Sequence, residues 1–133
     1  MSTTTEKSKS IATNAKVATF VGKLFSFNNS LKLYHWHVTG KASYAQHIAL
    51  DQAIESLLDV TDRVAETTYA MLGDIDIVIP ETKTPGDIIK HAEGFFDYVG
   101  GQRDLFPEAF TQAILDDYQE AIQQLLYRLR RLQ

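Results

Sequence analysis

Apolar residues recur every three or four positions over long stretches of this chain. That is the period of an amphipathic helix rather than the alternation of a strand. The first stripe is Val17, Phe20, Val21, Leu24, Phe27, Leu31, Tyr34 and Val38. It predicts a helix over about 13–38, stopped by Gly40 as a C-terminal cap. A second stripe, Leu50, Ala53, Ile54, Leu57, Thr61, Val64, Ala65, Thr68 and Leu72, predicts a helix over about 43–72 that Gly73 ends. The segment DIDIVIPETKT at 74–84 breaks the period. It alternates at first, and Pro80 opposes a helix, so an extended connection is expected. Fully extended it would reach roughly 35–40 Å, enough to run along a long helix. Thr84 and Pro85 resemble a cap and a first helical position, predicting a short third helix over about 85–99 closed by Gly100-Gly101. The last helix is expected from near Pro107, with the stripe Phe110, Ile114, Tyr118, Ala121, Ile122, Leu125, Leu129 and Leu132. Arg128, Arg130 and Arg131 complement the negative C-terminal end of its dipole.

These elements imply an all-α fold. A connection as long as the helices fits a ferritin-like four-helix bundle, with a long extended crossover between helices 2 and 3, better than a simple up-down-up-down bundle. Residues 1–11 read as a flexible polar tail and 12–133 as a single domain.

The chain has 133 residues, 44% of them hydrophobic and 23% charged, an ordinary globular balance. It has no cysteine, which removes disulfides, thiolate metal sites and thiol catalysis and fits a reducing, cytoplasmic setting. No apolar run approaches the roughly 20 residues needed to span a bilayer. The polar start, MSTTTEKSKS, lacks the apolar centre of a secretory signal. The net charge of −4 gains little from nucleic-acid phosphates. Lys7, Lys9 and Lys16 make a thin basic patch, read as tail solvation ahead of a DNA-binding arm.

The candidate chemistry lies in YHWHVTGKASYAQHIALDQAIESLLDVTDRVAE. His35, His47, Asp51, Asp62 and Glu66 can all ligate a divalent metal, and imidazole with carboxylate suits iron, manganese or zinc. His47/Asp51 and Asp62/Glu66 are i,i+4 pairs, each a chelating clip on one helix face. His35 falls on the inward side of the first helix, and His37 about 200° round from it. Asp51 and Asp62 share a face but stand about 16 Å apart along the axis. Metal–ligand bonds are roughly 2 Å, so the two clips cannot hold one ion within one straight helix. Either each clip joins other groups of its own chain, or a second copy of the helix packs antiparallel about a two-fold axis near Ser56–Leu57. The ligands' place on the flank of the core stripe favours the second arrangement. Each site would then combine His35, His47 and Asp51 of one chain with Asp62 and Glu66 of its partner. The chain contains no Glu-x-x-His, the motif of the usual intrachain di-iron bundle.

The pattern His35-Trp36, Gly40, His47, Asp51 and Asp62-x-x-x-Glu66 resembles the ferroxidase signature of the Dps family of mini-ferritins. The match covers about a quarter of the chain closely, and the rest agrees in helix order. The family's usual aromatic position eight residues after the first His is Ser43 here, followed by Tyr44, and Thr67 stands where an Arg often follows the last Glu. The resemblance implies iron sites at a homodimer two-fold, and oxidation of Fe(II), often by hydrogen peroxide. It also implies mineral storage in a dodecameric shell and a role in limiting radical damage for Trp36, which reads as a packing residue beside the site. Glu55 and Asp59 lie near the same face and read as solvated charge. His91 and the aromatics Phe95, Phe96 and Tyr118 read as structural. The alternative function is a non-enzymatic helical assembly protein whose site is structural, holding zinc or no metal.

Overall fold

A computed structural model describes residues 4–133, with side chains from residue 13 onward. It is all-α: α1 spans Thr4–His37, α2 Ser43–Leu72, α3 Ile88–Gln102 and α4 Ala109–Arg131, with a single 3₁₀ turn at Arg103–Leu105. No helix among the described residues is long and apolar enough to cross a membrane.

The observed α2 has the predicted bounds. Gly40 and Gly73, which flank it, both adopt positive φ, the backbone region that a glycine enters without a Cβ clash. The other helices differ at their ends. α1 begins at Thr4, well inside the segment expected as a tail. That segment has no glycine or proline to stop a helix. Residues 1–3, which belong to the same expectation, lie outside the described residues, as do the side chains of Lys7 and Lys9. α3 begins at Ile88 rather than Pro85. Its cap is Asp87, whose carboxylate accepts a hydrogen bond from the Lys90 N–H at 3.0 Å. Gly100 and Gly101 do not end α3, which continues to Gln102. Phe110, expected in the core stripe of α4, is exposed, because it stands about 100° round the helix from Thr111, which takes the buried position in that turn.

One core gathers Phe20, Leu24, Phe27 and Leu31 from α1 with Leu50, Leu57 and Val64 from α2. Ala92 and Val99 come from α3, and Leu115, Tyr118, Ile122, Leu125 and Leu129 from α4. Contacts along the helices fix their directions. Asn28 Nδ2 donates to the Ile54 carbonyl, and His35 meets His47, so α1 and α2 are antiparallel. Gln46 Nε2 donates to the Leu132 carbonyl and Arg63 pairs with Asp117, so α2 and α4 are antiparallel. Phe20 stacks on Tyr98 and Phe27 on Phe95, so α1 and α3 are antiparallel as well. α2 and α3 therefore run the same way, and the chain between them must return along the molecule.

Residues 73–87 make that return without helix or strand. Ile75 and Ile77 pack against the core, and the Ser26 and Thr82 hydroxyls meet at 2.8 Å. The buried Gly22 lets the segment lie flat on α1, since a Cβ there would overlap the Val78 carbonyl oxygen. Further on, the Ser30 hydroxyl donates to the Phe27 carbonyl, so its oxygen accepts from His91 Nε2 at 2.7 Å.

The bend between α3 and α4 is held by Arg103. Its guanidinium donates to Gln112 Oε1, the Gln112 carbonyl and Gln119 Oε1 at 2.7–2.8 Å, and pairs with Asp116 at 2.6 Å. Gln112 Nε2 returns bonds to the Arg103 and Phe106 carbonyls, satisfying backbone groups that the bend leaves open. Replacing Arg103 with Ala strands these acceptors and is expected to lower unfolding stability by about 3 kcal/mol, with Arg103→Lys recovering only part, in urea denaturation.

Burial holds the His91 ring below its ordinary 6.5. The unfolded ring therefore binds a proton at a pH where the folded one does not. This contribution is complete above the unfolded pKa and declines as pH falls through it. Between about pH 7 and 5 the urea midpoint should fall, and His91→Gln should flatten that part of the slope. The charged side chains lining the same cleft are Lys23, Glu81 and Lys83.

Candidate metal centre

The turn from α1 into α2 sets the geometry. α1 ends at His37, Gly40 takes a φ of +97°, and the Ser43 N–H closes the turn on the Gly40 carbonyl at 3.2 Å. This reversal stacks the last turn of α1 on the first turns of α2. His35 comes from the former, and His47 and Asp51, one helical turn apart, from the latter.

Ligand atoms of these three residues lie within 4.8 Å of one another, so one divalent cation could touch all of them. His35 Nε2 is 2.9 Å from Asp51 Oδ1 and His47 Nε2 is 3.7 Å from Asp51 Oδ2. The two imidazoles stack with centroids 3.6 Å apart. His47 Nδ1 sits 3.3 Å from the His35 carbonyl oxygen. As donor to that carbonyl it leaves Nε2 with its lone pair toward Asp51, the second-sphere arrangement usual for a ligating histidine.

His35 is the unusual member. It is only 4% exposed, Nδ1 has no partner, and Nε2 has only Asp51 Oδ1 at 2.9 Å, an ion-pair approach without the geometry of a hydrogen bond. A buried imidazole without partners costs about 1–3 kcal/mol per unsatisfied group. A cation at the mouth of the cluster would satisfy it. Burial alone would raise the Asp51 carboxyl, but the neighbouring His35 and Lys32 outweigh that and hold it below its ordinary 3.8. The carboxylate is thus charged and ready to ligate.

Asp62 and Glu66 do not join the cluster. Both are exposed on α2, further along the flank that carries Asp51. Glu55 and Asp59 are exposed as well, as expected of solvated charge. His37 faces solvent. Trp36, expected to pack beside the site, is 66% exposed, because the residue next to a buried His35 is turned some 100° out of the core. Trp36 and Tyr44, itself 78% exposed, border a shallow depression of about 350 Å³ that His35 and His47 also line.

Two neighbours escaped the sequence reading. Lys32 reaches Asp51 Oδ1 at 3.4 Å from α1. The signal was its place one turn before His35, which puts both on one side of the helix. Tyr44 stands one turn before His47 in the same way.

Residues 35–129 match the model of a family of unknown function, DUF5856, a span that contains all three clustered residues. No curated protein and no solved structure matches the chain.

The unpartnered state of His35 has a consequence. His35→Leu keeps the volume and removes the stranded nitrogens, so the metal-free protein should gain about 1 kcal/mol in thermal unfolding while losing Co(II) binding. A stability loss on that substitution would show that His35 is held by bonds rather than waiting for a ligand.

Proposed function

The chain belongs to DUF5856, and we propose that it is a Dps-like, iron-binding ferroxidase whose sites are completed between two copies of the chain. One observation supports the proposal: a buried His35 that makes no hydrogen bond, grouped with His47 and a charged Asp51. Neutral imidazoles and a carboxylate bind Fe(II), and the carboxylates favour Fe(III). Iron is the substrate. Two Fe(II) each give one electron to hydrogen peroxide, which takes up two protons and leaves as two waters. Zinc and manganese suit the same donors.

The fold supports a ferritin-like four-helix bundle. α1 packs on α2 and α3, and α4 on α2 and α3, which closes a ring of helices. The parallel course of α2 and α3, with residues 73–87 lying along α1, is what a long crossover produces.

The exposed flank of α2 supports a shared site. Asp62 and Glu66 mirror Asp51 and His47 about a point between Ser56 and Leu57. The exposed Tyr44 and Tyr69 mirror each other about the same point, and Leu58, also exposed, lies beside it. An antiparallel copy across that point would cover these apolar groups and bring its Asp62 and Glu66 to the three-residue cluster. Such a dimer is the unit from which a dodecameric, iron-storing shell would be built.

In an anaerobic Fe(II) titration followed by peroxide, the wild-type protein should bind and oxidise iron, and His47→Ala and Asp62→Ala should each abolish oxidation. Mixed after unfolding and joint refolding, the two inactive variants should recover about a quarter of the wild-type sites, since half of the dimers are mixed and one of their two sites is intact. Metal uptake without turnover would favour a structural zinc site in a non-enzymatic assembly. Activity retained in Asp62→Ala would remove the inter-chain site.

A further inference from the structure

Lys32 is the one cation in contact with the His–Asp cluster among the described residues. Its ammonium lies 3.4 Å from Asp51 Oδ1, the oxygen turned toward His35, while Oδ2 faces His47. The carboxylate is therefore divided. Oδ2 is open to a metal held by the imidazoles, and Oδ1, which also meets His35 Nε2 at 2.9 Å, already carries a positive charge. Metal pairs that share a carboxylate stand roughly 3.5–4 Å apart. A second ion on Oδ1, at roughly 2 Å from that oxygen, would fall against the Lys32 ammonium. The lysine also has somewhere to go. Its ammonium lies 5.9 Å from the centroid of the Trp36 ring, one turn along α1, a face that attracts a cation.

Resting on the metal-binding reading of the same cluster, we propose that Lys32 is a built-in counter-cation that sets how many metal ions the centre holds. It fills the second cation position beside Asp51 and limits the resting centre to one tightly bound divalent ion. A second ion enters only by displacing the ammonium toward Trp36. In iron oxidation, this makes the second Fe(II) that peroxide requires a transient visitor. Lys32 ligates nothing and acts through Asp51, so it is a positioning residue.

The half-exposed Lys32 can be changed without opening the core. Lys32→Met keeps the aliphatic stem and removes the charge, and Lys32→Arg keeps the charge. The experiment is anaerobic calorimetric and visible-absorption titration of each protein with Co(II), a redox-stable probe. Wild type and Lys32→Arg should saturate at one tight Co(II) per chain. Lys32→Met should bind the first ion about tenfold tighter and take a second with a new d–d absorption. The gain in first-ion affinity should shrink as salt is raised, because screening already weakens the lysine's repulsion in the wild type. Identical isotherms for wild type and Lys32→Met, or two tight ions in the wild type, would overturn the role of Lys32 while leaving the metal centre standing. No Co(II) uptake by any of the three would overturn the centre itself, and this inference with it.

Discussion

The pairing of α1 with α2 is the constraint from which the rest of the site follows. The two helices meet in antiparallel register, Asn28 against Ile54, Lys32 against Asp51 and His35 against His47. The register is set below the site by apolar packing of Phe27 and Leu31 on α1 with Leu50 and Leu57 on α2, and above it by the tight turn at Gly40. A slip of one turn between the helices would leave His35 facing Ser43, Tyr44, Leu50 or Asp51 instead of the His47 imidazole. The same packing that makes the core therefore aims the ligands. It also buries His35, whose nitrogens no other group of the fold satisfies.

The return segment and the α3–α4 bend brace this pair from outside. Residues 73–87 lie on the opposite side of α1 from α2, seated by Gly22 and pinned at Ser26–Thr82. Ser30 and His91 tie α1 to α3 just beyond. These contacts fall roughly one to four turns below His35 on the face turned away from the cluster. They hold α1 straight without taking a polar group from the site. Arg103 does the same for α4 by closing the bend with side-chain bonds, which leaves the far end of α4 free to receive Gln46 of α2. The site is therefore framed by helices and not by loops, the condition under which ligand positions are held most narrowly.

Much of this was legible in the sequence because helical period and glycine caps are strong local signals. Gly73 caps α2 as expected, Gly40 marks the turn that follows α1, and the run from Val17 to Leu31 located the buried face of α1. His35, His47 and Asp51 were legible together because an antiparallel hairpin with a short turn leaves few ways to place them. Local signals also misled where two of them competed. Thr84-Pro85 resembles a helix start, but Asp87 offers a carboxylate to the Lys90 N–H and wins the cap. Phe110 lies at the edge of its stripe, about 100° from Thr111, so the first turn of α4 buries the threonine and leaves the ring outside. Trp36 was read as packed by virtue of its neighbour, although one residue on a helix is a quarter turn. Lys32 was missed because a cation near three candidate ligands is not suggested by ligand chemistry. Only the register across the hairpin brings it to Asp51.

The flank of α2 carries two candidate ligands that the cluster does not use. Helix geometry separates Asp51 from Asp62 by about 16 Å, and burial does not shorten a straight helix. Asp62 and Glu66 face solvent, and the three-residue cluster has no further carboxylate among the described residues within its ligand distance. A cation held by His35, His47 and Asp51 alone would keep open coordination positions, as a centre that exchanges its substrate ion requires and a closed structural site does not. An antiparallel partner would add two carboxylates to those positions. The added negative charge would strengthen the hold on Fe(III) more than on Fe(II), because attraction scales with the charge of the ion. In the proposed dimer, assembly and oxidation would be coupled by electrostatics: the chain lending Asp62 and Glu66 would make its partner's iron easier to oxidise, and by symmetry would receive the same in return.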